Sequence, residues 1–226
     1  MTIKIIATIG PTSEDKIPRL IENGMNIARI NTKYGNIKQY EKIISSLKKN
    51  NCEILIDIKS KKILDWINTQ KIDYLAISFA DGVRKIRSIK KLIHDKSVKI
   101  ISKIENQKGI NNVDSIIDES DGIMLGRGDL GRNISYEKVP IVQKIIMKKC
   151  HKKNRFDITA TEMLMSMVNS KTPTNAEVSD VANAILDGSD ALMLSEETAI
   201  GKYPGLSVKV MKKIIDEIEK NKKKLK

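Results

Sequence analysis

Basic and acidic side chains follow short apolar runs at several points of the chain, in combinations that could bind a metal ion and an anion. Lys103 lies near the end of the run 98–104 and Glu105 directly follows it, while Asp129 comes three residues after the run 121–126. A fixed lysine neutralises phosphate, whereas glutamate and aspartate supply the hard oxygen ligands that Mg²⁺ prefers. These residue types predict electrostatic chemistry on a phosphorylated substrate.

The segment DGIMLGRGDLG, residues 121–131, is typical of a turn that lets backbone approach a ligand. Gly126 and Gly128 leave the backbone clear, so that amide groups at the start of the following helix could point at an anion. Asp129 would add a metal ligand at the same place. The segment suits a substrate with both a carboxylate and a phosphate or enolate oxygen; an ordinary strand-to-helix turn is the alternative.

Other apolar runs end in the same way, and together they supply several carboxylates, several cations and two hydroxyl groups. The residues at these ends are Arg29, Asn31, Asp57, Lys59, Lys103, Glu105, Arg127, Asp129, Thr161, Ser195, Glu196 and Glu197. Each residue alone would more often be a solvated loop residue. If the runs are parallel strands of one sheet, their carboxyl ends face one side and the set converges.

Eight β-branched runs alternate with longer amphipathic segments and must position these side chains. The runs cover residues 3–9, 25–30, 53–58, 73–79, 98–104, 121–126, 156–161 and 190–195. Near-continuous apolar strands separated by helices predict a parallel sheet covered by helices. Eight such units predict an α/β fold, a TIM (β/α)8 barrel, as a single domain over residues 1–226. An open doubly wound sheet is the alternative.

The composition narrows the class of partner. The chain has 41 Lys and Arg against 28 Asp and Glu, a net charge of +13, which suggests anionic partners or a solvated lysine surface. Aromatic residues are only 4%, with no stripe that could stack bases, so specific nucleic-acid binding is not expected. Two cysteines predict no disulfide framework, and no apolar run is long enough to span a bilayer. We expect a cytoplasmic protein.

Five segments resemble the barrel signatures of the pyruvate kinase family, in order along the chain. They are IIATIGPTS (5–13), GMNIARIN (24–31), IISKIENQKGINNVDSIIDESDGIMLGRGDLG (100–131), TATEMLMSM (159–167) and TPTNAEVSDVANAILDGSDALMLSEETAIGKYP (172–204). The resemblance implies a (β/α)8 catalytic barrel and a reaction in which phosphoenolpyruvate and ADP give pyruvate and ATP. It also implies Mg²⁺ or Mn²⁺ as the cofactor.

The resemblance carries roles onto matching residues of this chain. Glu105 and Asp129 would bind the divalent metal, and Lys103 and Arg29 would contact the phosphoryl group that is transferred. Thr161 would place a hydroxyl near the enolate carbon and help its protonation.

Further roles in the same resemblance concern the substrate carboxylate and a monovalent cation. Backbone amides of Gly128 and Asp129 would hold the carboxylate, while Asn31 and Asp57 match part of the monovalent-cation site. Lys62 stands where family members that need K⁺ carry glutamate, so we expect its ammonium to replace K⁺ and activity not to require that ion. The alternative is that Lys62 is a surface lysine.

Departures from the family concern the nucleotide side. We expect neither the inserted lid nor the C-terminal regulatory domain. Tyr34 replaces a histidine that contacts the nucleotide, Leu64 replaces an arginine near its phosphates, and SFADG (78–82) loses basic residues. A minimal pyruvate kinase is the leading interpretation.

Two alternatives stay open beside it. One is an enzyme that enolises pyruvate or decarboxylates oxaloacetate with little kinase activity, and the other is a non-catalytic remnant that binds metabolites or partners. Residues 171–185 resemble a barrel–barrel interface of the family, which suggests a homodimer.

Overall fold

Eight strands form a closed barrel in the computed structural model of the chain, which describes residues 3–221 and residue 224. The strands are hydrogen-bonded in sequence order, from β1 to β8, and the last pairs with the first in parallel. The predicted (β/α)8 barrel is therefore confirmed and the open doubly wound sheet is excluded. The strands are Lys4–Thr8 (β1), Ile27–Asn31 (β2), Glu53–Ile58 (β3), Tyr74–Ile77 (β4), Lys99–Ile104 (β5), Gly122–Gly126 (β6), Phe156–Ala160 (β7) and Ala191–Leu194 (β8).

Eleven α-helices lie among the described residues, between and after the strands. They are Ile17–Glu22 (α1), Ile37–Lys49 (α2), Leu64–Ile67 (α3), Val83–Lys90 (α4), Gln107–Asn111 (α5), Val113–Glu119 (α6), Arg127–Asn133 (α7), Val139–Lys152 (α8), Asn175–Leu186 (α9), Glu196–Ala199 (α10) and Pro204–Asn221 (α11). Three 3₁₀ turns accompany them at Lys61–Ile63, Tyr136–Lys138 and Met165–Val168. Within the part of the chain that the structure describes, no helix is both long and apolar enough to cross a membrane.

The chain divides into two compact units, which are described separately. Unit 1 contains Met1–Ile30, Ile37–Glu53 and Ala160–Lys226, and unit 2 contains Asn31–Asn36 and Ile54–Thr159. In unit 1, β1 pairs in parallel with β2 on one side and β8 on the other. Its strands are buried almost throughout, as expected for a parallel sheet with helices on its outer face.

Unit 2 is built on the consecutive parallel pairs of β3, β4, β5 and β6. Their aliphatic side chains are buried, because β-branched residues pack well on a pleated surface. In α4, Ile86 and Ile89 are buried three residues apart, which is the spacing of one helix face. Only Lys59 and Ser60 separate the end of β3 from the first 3₁₀ turn.

A buried acid in β7 is explained by a helix residue of the same unit. Asp157 is 3% exposed, and its Oδ2 lies 2.9 Å from Nε2 of His151 near the end of α8. Asp157 is the second residue of β7, so this contact belongs to the amino ends of the strands. In TIM barrels that end serves stability, whereas the carboxyl ends carry the chemistry.

Candidate active site

A buried lysine between two carboxylates is the central feature of unit 2. Nζ of Lys103 lies 2.9 Å from Oδ2 of Asp57 and 3.0 Å from Oε1 of Glu105. The three side chains are at most 9% exposed. Lys103 is near the carboxyl end of β5, Glu105 follows that strand, and Asp57 is the penultimate residue of β3. Buried charges need such pairing, because desolvation of an unpaired ion is costly.

The end of β4 holds this cluster together. Oγ of Ser78 donates to Oδ1 of Asp57 at 3.2 Å and accepts from Nζ of Lys103 at 3.3 Å. The backbone amide of Phe79 donates to Oε2 of Glu105 at 2.7 Å. Phe79 has a φ of 48°, a left-handed conformation that is uncommon for a bulky residue. Ser78 and Phe79 therefore orient both carboxylates and the ammonium group.

Burial dominates the electrostatics of Glu105. Desolvation raises the pKa of its carboxyl group, while Lys103 and the amide of Phe79 act in the opposite direction. A nearby cation would favour the ionised form further. Gly126 leaves the space that this carboxylate occupies, since a Cβ there would lie 3.1 Å from both Cγ and Oε1 of Glu105.

Asp129 lies in the first turn of α7, three residues after Gly126. Its side chain is 47% exposed, and its Oδ1 lies 3.4 Å from Nη1 of Arg132. Gly128 precedes it in the same turn. The two amides that are predicted to hold the substrate carboxylate therefore belong to the first turn of a helix, where anions bind most readily.

Glu105 and Asp129 carry the hard oxygen donors that a divalent cation such as Mg²⁺ prefers. Glu105 offers a buried carboxylate in a space that a side chain at position 126 would fill, and Asp129 offers a partly exposed one. Among residues 3–221 and 224, no group of three or more His, Cys, Asp or Glu side chains is placed to hold a metal ion. Such a pair suits Mg²⁺, which usually binds one or two carboxylates and fills its other positions with substrate oxygens and water.

In unit 1, Arg29 lies in the middle of β2, opposite Thr8 at the carboxyl end of β1. Its side chain is buried, and Nη1 donates to Oγ1 of Thr8 at 2.8 Å. That hydroxyl in turn donates to the carbonyl of Leu194 at 2.9 Å. The guanidinium group is thus oriented by the ends of β1 and β8, which pair with each other.

Thr161 follows β7 in a strained conformation. Its φ is 69° and that of Glu162 is 55°, so two successive residues other than glycine lie in the left-handed region. A β-branched residue rarely adopts this conformation, and such outliers concentrate at functional sites. Oγ1 of Thr161 donates to the carbonyl of Ala160 at 2.6 Å.

Glu197 stabilises the segment that follows Thr161. It is fully buried, and its carboxylate accepts from the amides of Leu164 at 3.0 Å and Ser195 at 2.8 Å. Desolvation raises the pKa of this carboxyl group, against the effect of those amides. Sequence reasoning grouped Glu197 with charges at the mouth of the barrel, whereas the structure places it inside, as a tie between two loops.

Comparison with known proteins identifies the family. The model "Pyruvate kinase, barrel domain" matches residues 53–208, more than half of the chain. The chain belongs to the pyruvate kinase family. Residues 1–52, which contain the first two motifs, lie outside that match.

Individual pyruvate kinases show the same similarity. The chain is 46% identical to the enzyme of Clostridium acetobutylicum over 164 residues, which are 71% of this chain and 35% of that protein. It is 43% identical to a cytosolic isozyme of Solanum tuberosum over 167 residues, 73% of this chain and 33% of the relative. For the Geobacillus stearothermophilus enzyme the values are 49% over 148 residues, 64% of this chain and 25% of the relative. The chain thus spans between a quarter and about a third of the length of these pyruvate kinases.

Departures from the pyruvate kinase pattern have distinct structural settings. Leu64 stands where the family resemblance implies an arginine, and its side chain is 2% exposed and belongs to the core. Tyr34, in place of a histidine, is 65% exposed, and Nζ of Lys33 lies 5.3 Å from its ring centroid. The buried Leu64 side chain cannot contact a nucleotide, whereas the Tyr34 side chain is open to solvent.

The residues that were predicted to form the monovalent-cation site differ in their contacts and in their exposure. The Asp57 carboxylate belongs to the Lys103 cluster, and its backbone carbonyl accepts from the amide and the hydroxyl of Thr32 at 3.0 and 2.9 Å. Oδ1 of Asn31 accepts from the amide of Lys33 at 3.1 Å. Lys62 lies in the first 3₁₀ turn with an exposed side chain. Its predicted replacement of K⁺ stays a prediction.

Sequence reasoning missed Ser78 and Phe79. It named residues at the ends of six strands and none that acts at the end of β4, although that strand is hydrogen-bonded to both β3 and β5. The signal available in the sequence was the order of the strands, because β4 lies between β3, which carries Asp57, and β5, which carries Lys103. A backbone amide donor leaves no trace in side-chain chemistry, so Phe79 could not be found from its residue type.

Proposed function

We propose that this chain is a minimal pyruvate kinase, which transfers the phosphoryl group of phosphoenolpyruvate to ADP and gives pyruvate and ATP. The observation that supports this most directly is the Lys103 ammonium, buried between Asp57 and Glu105. A cation fixed in this way needs no reorganisation when it meets a phosphoryl group. Membership of the pyruvate kinase family supports the same substrate.

Each residue of the candidate site has a part in the proposed reaction. Glu105 and Asp129 would hold Mg²⁺ or Mn²⁺, which as a Lewis acid stabilises negative charge on substrate oxygens. Lys103 would contact the phosphoryl group while its bond to the enol oxygen breaks and a bond to ADP forms, and the family resemblance gives Arg29 the same role. The amides of Gly128 and Asp129 hold the substrate carboxylate. The Thr161 hydroxyl assists proton delivery to the enolate carbon, which completes pyruvate.

A pyruvate-coupled assay tests this proposal directly. Purified protein with Mg²⁺, phosphoenolpyruvate and ADP should form pyruvate, and Lys103→Ala should reduce the rate by about a hundredfold or more. Lys99→Ala is the matched control, because Lys99 is an exposed lysine at the opposite end of the same strand. Equal rates for the wild type and Lys103→Ala would refute the assignment.

A second function follows from the nucleotide side. Leu64 is buried, and only two residues separate β3 from the next turn, so the segment after β3 offers little that could contact ADP. The remaining groups could still enolise pyruvate or decarboxylate oxaloacetate. Exchange of pyruvate methyl protons in the absence of nucleotide, without ATP formation, would favour this function over the kinase.

The non-catalytic alternative has its own test. A remnant that binds partners but no metabolite should show no rise in melting temperature with Mg²⁺ and oxalate, whereas a remnant that binds metabolites should show a rise without turnover. A rise that depends on Glu105, and is lost in Glu105→Gln, would support a metabolite site even if turnover is absent.

Independence of K⁺ is a further expectation for the proposed enzyme. If the Lys62 ammonium takes the place of the ion, the rate should be unchanged when K⁺ is replaced by a bulky tetraalkylammonium ion at equal ionic strength. Lys62→Glu should then become K⁺-dependent. Strong activation of the wild type by K⁺ would contradict the replacement.

Two expectations concern the surroundings of the protein. The resemblance of residues 171–185 to a barrel–barrel interface supports a homodimer, which light scattering after size-exclusion chromatography would detect. The cytosolic isozyme among the relatives supports a cytoplasmic location.

A further inference from the structure

Lys85 connects helix α4 to the residues that orient the candidate site. It is the third residue of the helix, and its Nζ donates to the carbonyl of Ser78 at 2.7 Å and to that of Phe79 at 2.9 Å. No motif singles out this lysine, and SFADG lacks a basic residue of its own. A cation therefore reaches the end of β4 from the helix that follows.

The two carbonyls belong to the dipeptide that already supports the cluster. Its other polar groups are the Ser78 hydroxyl, which contacts Asp57 and Lys103, and the Phe79 amide, which donates to Glu105. Phe79 has its left-handed backbone conformation, with a φ of 48°, at the point where its amide donates to Glu105. A strained turn persists when surrounding contacts determine it.

The surroundings of Lys85 show that this contact is specific. Its side chain is partly buried, and desolvation lowers the pKa of the amine, while the charges of Asp81 and Glu105 oppose that shift and those of Lys103 and Lys61 add to it. A solvated lysine would avoid this environment by extending into water. The two carbonyl acceptors compensate for part of the lost hydration.

We propose that Lys85 is a positioning residue for Glu105. Its ammonium group fixes the Ser78–Phe79 backbone in the turn that presents the Phe79 amide to the Glu105 carboxylate. The consequence for metal binding rests on the proposed function, whereas the effect on the turn itself does not. Lys85 acts through the backbone and touches no reacting atom.

The test combines metal affinity with a local measure of the turn. In Lys85→Met, the affinity for Mn²⁺ alone, measured by electron paramagnetic resonance, should fall by about tenfold, the lower end of the effect of losing an outer-shell partner. Hydrogen exchange in the peptide covering residues 74–82 should become faster. Lys91→Met, an exposed lysine just after the same helix, is the control and should leave both measurements unchanged.

Restoring the ammonium group separates positioning from general damage. Lys85→Cys treated with 2-bromoethylamine regains an amine of similar reach, and both Mn²⁺ affinity and slow exchange should recover; treated wild type controls for modification of Cys52. If neither property changes in Lys85→Met, or if neither recovers after aminoethylation, the inference is wrong. Absence of Mn²⁺ binding by the wild type would instead refute the proposed function, while the exchange measurement still tests the turn.

Discussion

Lys103 shows how a single side chain in this barrel depends on three others. Its ammonium contacts Asp57, Glu105 and Ser78, so removing it would leave two buried carboxylates without their shared cation. Breaking a buried pair in this way is strongly destabilising, by about 3–5 kcal/mol. Loss of activity in Lys103→Ala must therefore be accompanied by a stability measurement, so that unfolding is not mistaken for lost chemistry.

Gly126 gives a prediction at the scale of one methyl group. In Gly126→Ala the new Cβ would lie 3.1 Å from Cγ and Oε1 of Glu105, so the carboxylate must shift by a few tenths of an ångström. We expect weaker Mn²⁺ binding with a loss of stability of about 1–3 kcal/mol. Isothermal titration and thermal melting would measure the two effects.

The control for that prediction lies five residues further along. Gly131→Ala places a Cβ 3.8 Å from Cγ2 of Val139, an ordinary contact, within α7. It should leave metal affinity unchanged and raise stability by up to about 1 kcal/mol, because alanine is the better helix former. Equal metal binding in both variants would show that the space beside Glu105 is not limiting.

At the scale of elements, Glu177 joins the segment after β7 to the start of α9. Its carboxylate accepts from the amide and hydroxyl of Ser166 at 2.6 and 2.5 Å and from the amide of Thr174 at 2.8 Å, where it completes a capping box. Burial alone would raise the pKa of Glu177, but these hydrogen bonds outweigh it and hold the pKa below the usual 4.5.

This arrangement predicts a defined pH dependence. A carboxyl group whose pKa is lowered by folding stabilises the native state above its unfolded pKa, and this contribution disappears as the pH falls through the folded value. At neutral pH the free energy of unfolding of the wild type should therefore exceed that of Glu177→Gln by about 1 kcal/mol or more. The difference should shrink below about pH 4.5. Glu137→Gln, which removes an exposed carboxylate, is the matched control variant.

The elements were largely predictable from sequence, and the contacts between them were not. All eight strands lie within two residues of the predicted runs, because near-continuous aliphatic stretches are characteristic of a parallel sheet. The Asp157–His151 pair and the Lys85 contact each join a strand or its end to a neighbouring helix. Such contacts depend on how far a helix extends and where a turn places its carbonyls, and neither follows from periodicity.

At the scale of the whole molecule, the basic surface predicts weak and unselective affinity for nucleic acid. A net charge of +13 attracts phosphates, but the low aromatic content gives no means of reading bases. Binding to duplex DNA should therefore fall steeply between low and physiological salt, with no preference among sequences. Fluorescence anisotropy over a salt series would measure this. Binding that persisted at high salt, or that favoured one sequence, would contradict it.

The left-handed pair at Thr161 and Glu162 has a consequence for the history of the chain. Glycine at either position would relax the backbone, so a sequence selected only for thermal endurance would be expected to replace them. Strained residues of this kind concentrate at functional sites, which agrees with the predicted role of Thr161. Laboratory selection for heat resistance alone should recover substitutions at Thr161 or Glu162 early. The properties that the selected variants lose would show which function the strained conformation serves.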